Sequence, residues 1–293
     1  MKKLLSALTM MLCWFSAAGQ SGLLISELLY QPRSGEAEYV ELYNSSDTAV
    51  NLSDYHIVRW VGDTLGKHYV LPAYNIGAHD YVALTKDAAS VAANYNVRYA
   101  SKLVECKLPT YPNDGGSVIL STADSVVVDR FDYSPDMHSR LLRDKAGVAL
   151  ERRSFSRETN DADNWFSASS TCGYGTPGYE NSQSREVLVE ETSFVFSSDV
   201  ISPDGDGYQD ILEISYAIED GSLMARVEVF DAKGIRMRVL LNNALLGSHG
   251  MIVWDGRGEG GVALPRGQYL VLTTIYDTNG TKQVLRRVVS IFV

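Results

Sequence analysis

Apolar residues along this 293-residue chain recur at every second position, in short runs broken by turn residues. Successive side chains of a strand point to opposite sides, so such runs read as strands. The first covers 23–30 and is closed by Gln31 and Pro32. The next covers 38–43, with Val40 and Leu42 on one face and Tyr39, Glu41 and Tyr43 on the other. The same reading predicts strands at 55–60, 67–71, 80–85, 117–120, 125–131 and 148–152. A short helix over 87–95 is expected, capped by Asp87. Polar residues dominate 184–193, which reads as a connector. Alternation then resumes at 194–196, 211–217 and 225–230. Asp231 to Gly234 supply a hairpin turn, and strands follow at 235–241, 251–254, 268–276 and 282–293.

Many short strands punctuated by turns define an all-β chain built of sandwiches or barrels. About seven strands in the last hundred residues is the number expected of an immunoglobulin-like β-sandwich. The length leaves room for two such domains in tandem.

Composition changes this picture mainly at the N-terminus. Lys2 and Lys3 precede an apolar run from Leu4 to Phe15, and Ala17, Ala18 and Gly19 are small. This is the pattern of a signal peptide over 1–19, so the protein is expected to be exported. The apolar run is too short to span a bilayer, and no other stretch is long enough. Without Lys2 and Lys3 the chain carries 24 basic and 36 acidic residues, a net charge of −12. Such a surface repels phosphate backbones and argues against nucleic-acid partners. Cys106 and Cys172 are bridged or free, and export permits either.

Ligand chemistry is written compactly in one place. Between Ile201 and Asp210, three carboxylates and two glycines share a loop. Asp204, Asp206 and Asp210 have the spacing that wraps oxygen ligands around calcium. The twelfth loop position is Ser215 instead of Glu, and a strand follows, so this is no EF-hand. Pro, Asp and Gly also make tight turns without any metal, and both readings stand.

Catalytic signatures are weak. The five histidines, His56, His68, His79, His138 and His249, show no His-Glu-x-x-His or paired spacing, and read as structural. Glu38 and Glu41 are three apart in a strand and point to opposite faces. Glu27 and Glu41 could meet across strands as an acid pair of the glycosidase kind. Trp60 and Tyr74 are candidate sugar-stacking rings among the many aromatics, with core packing as the competing role.

Two resemblances bear on function. Ile25-Ser26-Glu27-Leu28, Glu38-Tyr39-Val40-Glu41-Leu42-Tyr43-Asn44 and Val50-Asn51-Leu52-Ser53-Asp54-Tyr55 resemble the lamin tail domain. So do Gly147 to Arg152, Asn160 to Trp165 and Gly175 to Ser182. This resemblance covers about 21–183 and implies an immunoglobulin-like, non-catalytic module for attachment or presentation. Insertion-rich residues 88–111 depart from its short versions. Ser202 to Gly207, Val229-Phe230-Asp231, Trp254-Asp255-Gly256 and Leu264 to Tyr269 resemble the immunoglobulin-like domain of the flagellar hook-capping protein, over about 194–293. Domains of that kind end many exported Gram-negative proteins, and some serve as type IX secretion signals. The expectation is an exported protein for adhesion, scaffolding or presentation at the cell surface, meeting a protein or glycan partner there. The alternative is a carbohydrate-binding accessory protein.

Overall fold

The structure is a computed structural model, and it describes residues 22–61, 64–185, 191–219 and 221–292. The expected signal peptide and the middle of the connector, 186–190, lie outside the described residues.

The first part contains β1 (Leu23–Leu29), β2 (Tyr39–Asn44), β3 (Val50–Asn51), β4 (Tyr55–Val61), β5 (Thr64–Val70), β6 (Asn75–Ile76), β7 (Tyr81–Thr85), α1 (Ala88–Asn94), β8 (Leu103–Glu105), β9 (Gly116–Thr122), β10 (Val127–Tyr133), β11 (Leu150–Arg152) and β12 (Trp165–Ser167). Six strands pair in the order β12-β11-β1-β2-β7-β8, four in the order β10-β9-β4-β5, and β3 pairs with β6. All neighbours are antiparallel except β7 and β8. The larger two sheets face each other across a core that includes Ile25, Leu42, Ile57, Leu84, Leu120 and Phe131. Phe131 and Trp165 stack with ring centroids 3.5 Å apart.

The second part contains β13 (Ser193–Phe196), β14 (Val200–Ile201), β15 (Leu212–Ala217), β16 (Met224–Asp231), β17 (Arg236–Leu245), β18 (His249–Trp254), β19 (Gly267–Tyr276) and β20 (Lys282–Ile291). Its sheets run β13-β15-β18 and β14-β20-β19-β16-β17. Leu212, Ile214, Val227, Val229, Trp254, Val271 and Val289 fill the space between them. The buried Trp254 satisfies its ring N–H on the Arg257 carbonyl at 2.9 Å. The chain is thus all-β, with sandwich cores of the immunoglobulin-like kind.

Local chemistry places the turns where alternation breaks. Asp87 accepts from the Ser90 amide at 2.9 Å and starts α1 as expected. Asp231 accepts from the amides of Lys233 and Ile235 and closes the β16–β17 hairpin. β17 runs on past the expected end at 241. Register shifts between β16 and β17 interrupt its alternation, and Asn243 adopts a φ of 48°.

One layer lies outside the period-two expectation. Every residue of β2 is buried, on both faces. On the side away from the main core, Leu29, Tyr39 and Ala83 pack with Val91 of α1, Tyr95 and Ala168. The insertion 88–111 therefore has a structural task. It supplies α1, and with it β8 as an extra edge strand, to cover that side of the six-stranded sheet.

Candidate functional site

The covered face of the six-stranded sheet holds three carboxyl groups in one row. Glu27 on β1 stands opposite Glu151 on β11 and opposite Glu41 on β2. All three side chains belong to residues with 0% exposure. A strap of chain, 174–183, lies over them and takes up their oxygens. The Thr176 amide donates to Glu27 Oε1 at 3.0 Å, and the Tyr39 hydroxyl donates to the same oxygen at 2.9 Å. The Gly178 amide donates to Glu41 Oε2 at 2.6 Å. Glu151 Oε2 accepts from the Ser182 hydroxyl at 2.7 Å and the Gln183 amide at 2.8 Å.

The Thr176 side chain bridges two of the three carboxyl groups. The Thr176 hydroxyl lies 3.3 Å from Glu27 Oε2 and 3.0 Å from Glu151 Oε1. A hydroxyl has one proton to give, so it cannot satisfy two carboxylates at once. It therefore serves one of them, and the Thr176 amide, 3.3 Å from Glu27 Oε2, is a second donor to the row. Burial and like charge both favour the neutral acid in this row. Burial pushes the Glu151 carboxyl up to about 7. Burial first, then the charge of Glu151 and Glu41, holds Glu27 well above the usual carboxylate range. Burial does the same to Glu41, whose Oε1 has no hydrogen-bond partner. The cross-strand meeting of Glu27 and Glu41 is real, but the pair is sealed beneath the strap.

The strap continues into the second sandwich. The Ser182 and Ser184 carbonyls accept from the amide and hydroxyl of Ser248, at 2.9 Å and 2.6 Å. Gln183 donates its side-chain amide to the carbonyls of Ser167 and Leu246. Ser169 and Ser170 both donate to the Leu245 carbonyl. Gly247 is required here by close approach, since a Cβ at that position would lie 2.4 Å from the Ser182 carbonyl oxygen. One carboxyl group, Glu151, thereby anchors the stretch of chain on which the second sandwich is hung.

The other expected site residues fall in separate places. One ligand oxygen from each of Asp204, Asp206 and Asp210 lies within 4.8 Å of the others. The loop also closes on itself. Asp210 accepts from the amides of Gly205 and Gly207 at 2.7 Å and 2.8 Å, and Asp206 accepts from Tyr208 at 2.7 Å. Trp60 is half-buried, with the Arg130 guanidinium 4.3 Å from its ring centre. Tyr74 packs on the edge of the first core, and among the described residues no ring contact joins it to Trp60. Cys106 and Cys172 are both free, and burial pushes each thiol up to about 12. His138 is buried with its Nδ1 2.9 Å from the Ser167 hydroxyl, and burial lowers it to about 4.

The histidines bring one correction. No paired spacing was expected, yet His56 and His68, twelve residues apart, meet across the β4–β5 hairpin with Nδ1 atoms 3.2 Å apart. A hairpin pairs residues at any spacing that its turn sets, so no fixed sequence motif marks the pair.

Comparison with known proteins agrees with part of this architecture. The family model of the lamin tail domain matches residues 16–135. The stretch from 136 to 183, where the sequence resemblance continues, lies beyond that match. No curated protein matches the chain. Among solved structures, FlgD from P. aeruginosa is 18% identical over 36% of this chain and 78% of its own, with a TM-score of 0.22. Latent PorU from Porphyromonas gingivalis is 9% identical over 96% of this chain and 21% of its own, with a TM-score of 0.27. PorZ, a surface component of the type-IX secretion system of the same organism, is 12% identical over 92% of this chain and 30% of its own, with a TM-score of 0.26. The chain thus spans less than a third of PorU and of PorZ. At these scores the chains share no common frame from which a residue's role can be carried over.

Two measurements check the site. Raised carboxyl values mean that the folded chain holds these protons more tightly than the unfolded one. The linked stability is full below the ordinary carboxylate range and is lost as pH rises through about 7, where Glu151 ionises. Urea unfolding is therefore expected to show lower stability at pH 8 than at pH 5. Glu151→Gln can still donate to Thr176 but cannot ionise, and should remove of the order of 3 kcal/mol of that loss. A mutant profile superimposable on the wild type would refute the raised Glu151 carboxyl. For the Asp204 loop, closure by its own amides predicts the same melting temperature in millimolar calcium and in excess EGTA. A drop of several degrees on chelation, absent in Asp210→Asn, would assign the loop to a cation instead.

Proposed function

We propose that the protein is an exported, non-catalytic component of a Gram-negative cell envelope or surface, used for adhesion, scaffolding or presentation. One observation carries the reading. The carboxyl row that could have served acid-base chemistry is spent on backbone amides of the chain itself, under a strap that excludes water. Hydrolysis by paired carboxyl groups needs both of them open to the substrate and to a water molecule. Here Glu27 and Glu41 are open to neither. The strap links one sandwich to the next, which suits a protein whose task is to hold surfaces at a set spacing.

Support for export comes from the basic and apolar pattern of residues 1–19. The hook-capping resemblance of residues 194–293 makes the second sandwich the part that would carry a type IX sorting signal. The acidic surface favours a protein or neutral glycan partner over a polyanion. Trp60 under Arg130 and Tyr74 on the core are less open than a glycan platform needs, so the sugar-binding alternative takes second place.

Surface proteolysis of intact cells tests this directly. The full-length protein should be digested without permeabilisation, and the purified chain should turn over no glycosidase, protease or nuclease substrate. Protection until the inner membrane is breached would end the export reading. Turnover abolished by Glu41→Gln would end the non-catalytic one. Saturable glycan binding lost in Trp60→Ala or Tyr74→Ala would put the carbohydrate reading in its place.

A further inference from the structure

The outward face of the four-stranded sheet carries a second cluster that the proposed function does not use. His56 on β4 pairs in register with Val70, and Val58 pairs with His68 on β5. The two histidines are thus diagonal neighbours on one face, where side chains of adjacent strands reach each other. Their Nδ1 atoms are 3.2 Å apart and their rings stand at 87°. Both rings are half-buried, so water reaches them. Among the described residues, the one hydrogen bond either ring makes is to the other.

That separation also fits two ligands of a single ion. Two nitrogens bound to one tetrahedral zinc at about 2.05 Å lie about 3.3 Å apart, and two cis nitrogens on a tetragonal ion about 2.9 Å apart. The observed distance falls between these values. The geometry points to a binding site for a late first-row divalent ion, Zn(II), Cu(II) or Ni(II), held by His56 Nδ1 and His68 Nδ1 and completed by water.

Three features favour the assignment. The ladder already holds the ligands in place through the Ile57 to Tyr69 pair between them, so little order is lost on binding. Imidazole is the ligand these ions prefer, and with no carboxylate in the pair calcium and magnesium are poorly served. A bound histidine usually hands its other ring N–H to an acceptor. Ser121 sits directly across from His56 on β9, and its hydroxyl is fully buried with no partner. The ladder sets this orphan hydroxyl on the strand position opposite His56, and it is the group we assign to accept that N–H once the ring turns to bind the ion.

A neutral imidazole pair sharing one N–H gives a similar separation, so the test must tell the two apart. The probe is the metal alone, added to untagged protein. Zinc chloride should raise the melting temperature by several degrees where magnesium chloride does not, as expected for an ion that binds only the folded chain. His68→Asn and His56→Asn should each abolish the shift, while His79→Ala and Asp210→Asn keep it. Cu(II) electron paramagnetic resonance on the unaltered protein should show two equivalent nitrogens, displaced by zinc, and does not depend on any variant folding. A shift that survives both histidine variants, or a copper spectrum without nitrogen coupling, would leave only the hydrogen-bonded pair and overturn the site.

Discussion

Burying a carboxyl group away from water costs several kcal/mol unless it is neutralised or fully hydrogen-bonded. This chain buries three in a row, on adjacent strands, and meets the cost in both ways. Burial and like charge push the row towards its neutral form, and the strap supplies one backbone N–H to each glutamate. The constraint runs in the other direction as well. The strap amides would be unsatisfied if the glutamates were absent, so its path over the sheet is dictated by Glu27, Glu41 and Glu151 together. Because Ser182 to Ser184 bond Leu246 and Ser248, that path also sets where the second sandwich attaches.

Much of the fold follows from local rules that one sequence displays. Period-two alternation located the long strands of both sandwiches, Asp87 announced α1, and Asp231 with Gly234 announced a hairpin. The elements that escaped are those whose formation depends on a distant partner. β8 and β12 are three residues each and gain their identity from the strands they extend. β17 lost its alternation to bulges opposite β16.

The site was legible in its parts and hidden in its assembly. The alternation at 38–43 placed Glu41 on the face opposite Val40, and it is there. What could not be read was that this face is covered, since the cover comes from residues 174–183, more than 130 positions later. The Thr176-Pro177-Gly178 stretch looks like a turn until the oxygens beneath it are seen. For His56 and His68 the missing information was register, which depends on how the hairpin between them turns and on the bulge near Trp60. The Asp204 loop was visible at once because all its partners are local.

The central claim is that carboxyl groups clamp the strap from below. Amide hydrogen exchange at Thr176, Gly178 and Gln183, measured at pH 6 in the full-length protein, tests it most directly. The account predicts that these amides exchange as slowly as those of β1 and β2, and that Glu41→Ala releases Gly178 first. Exchange at the rate of an open loop in the wild type would contradict it.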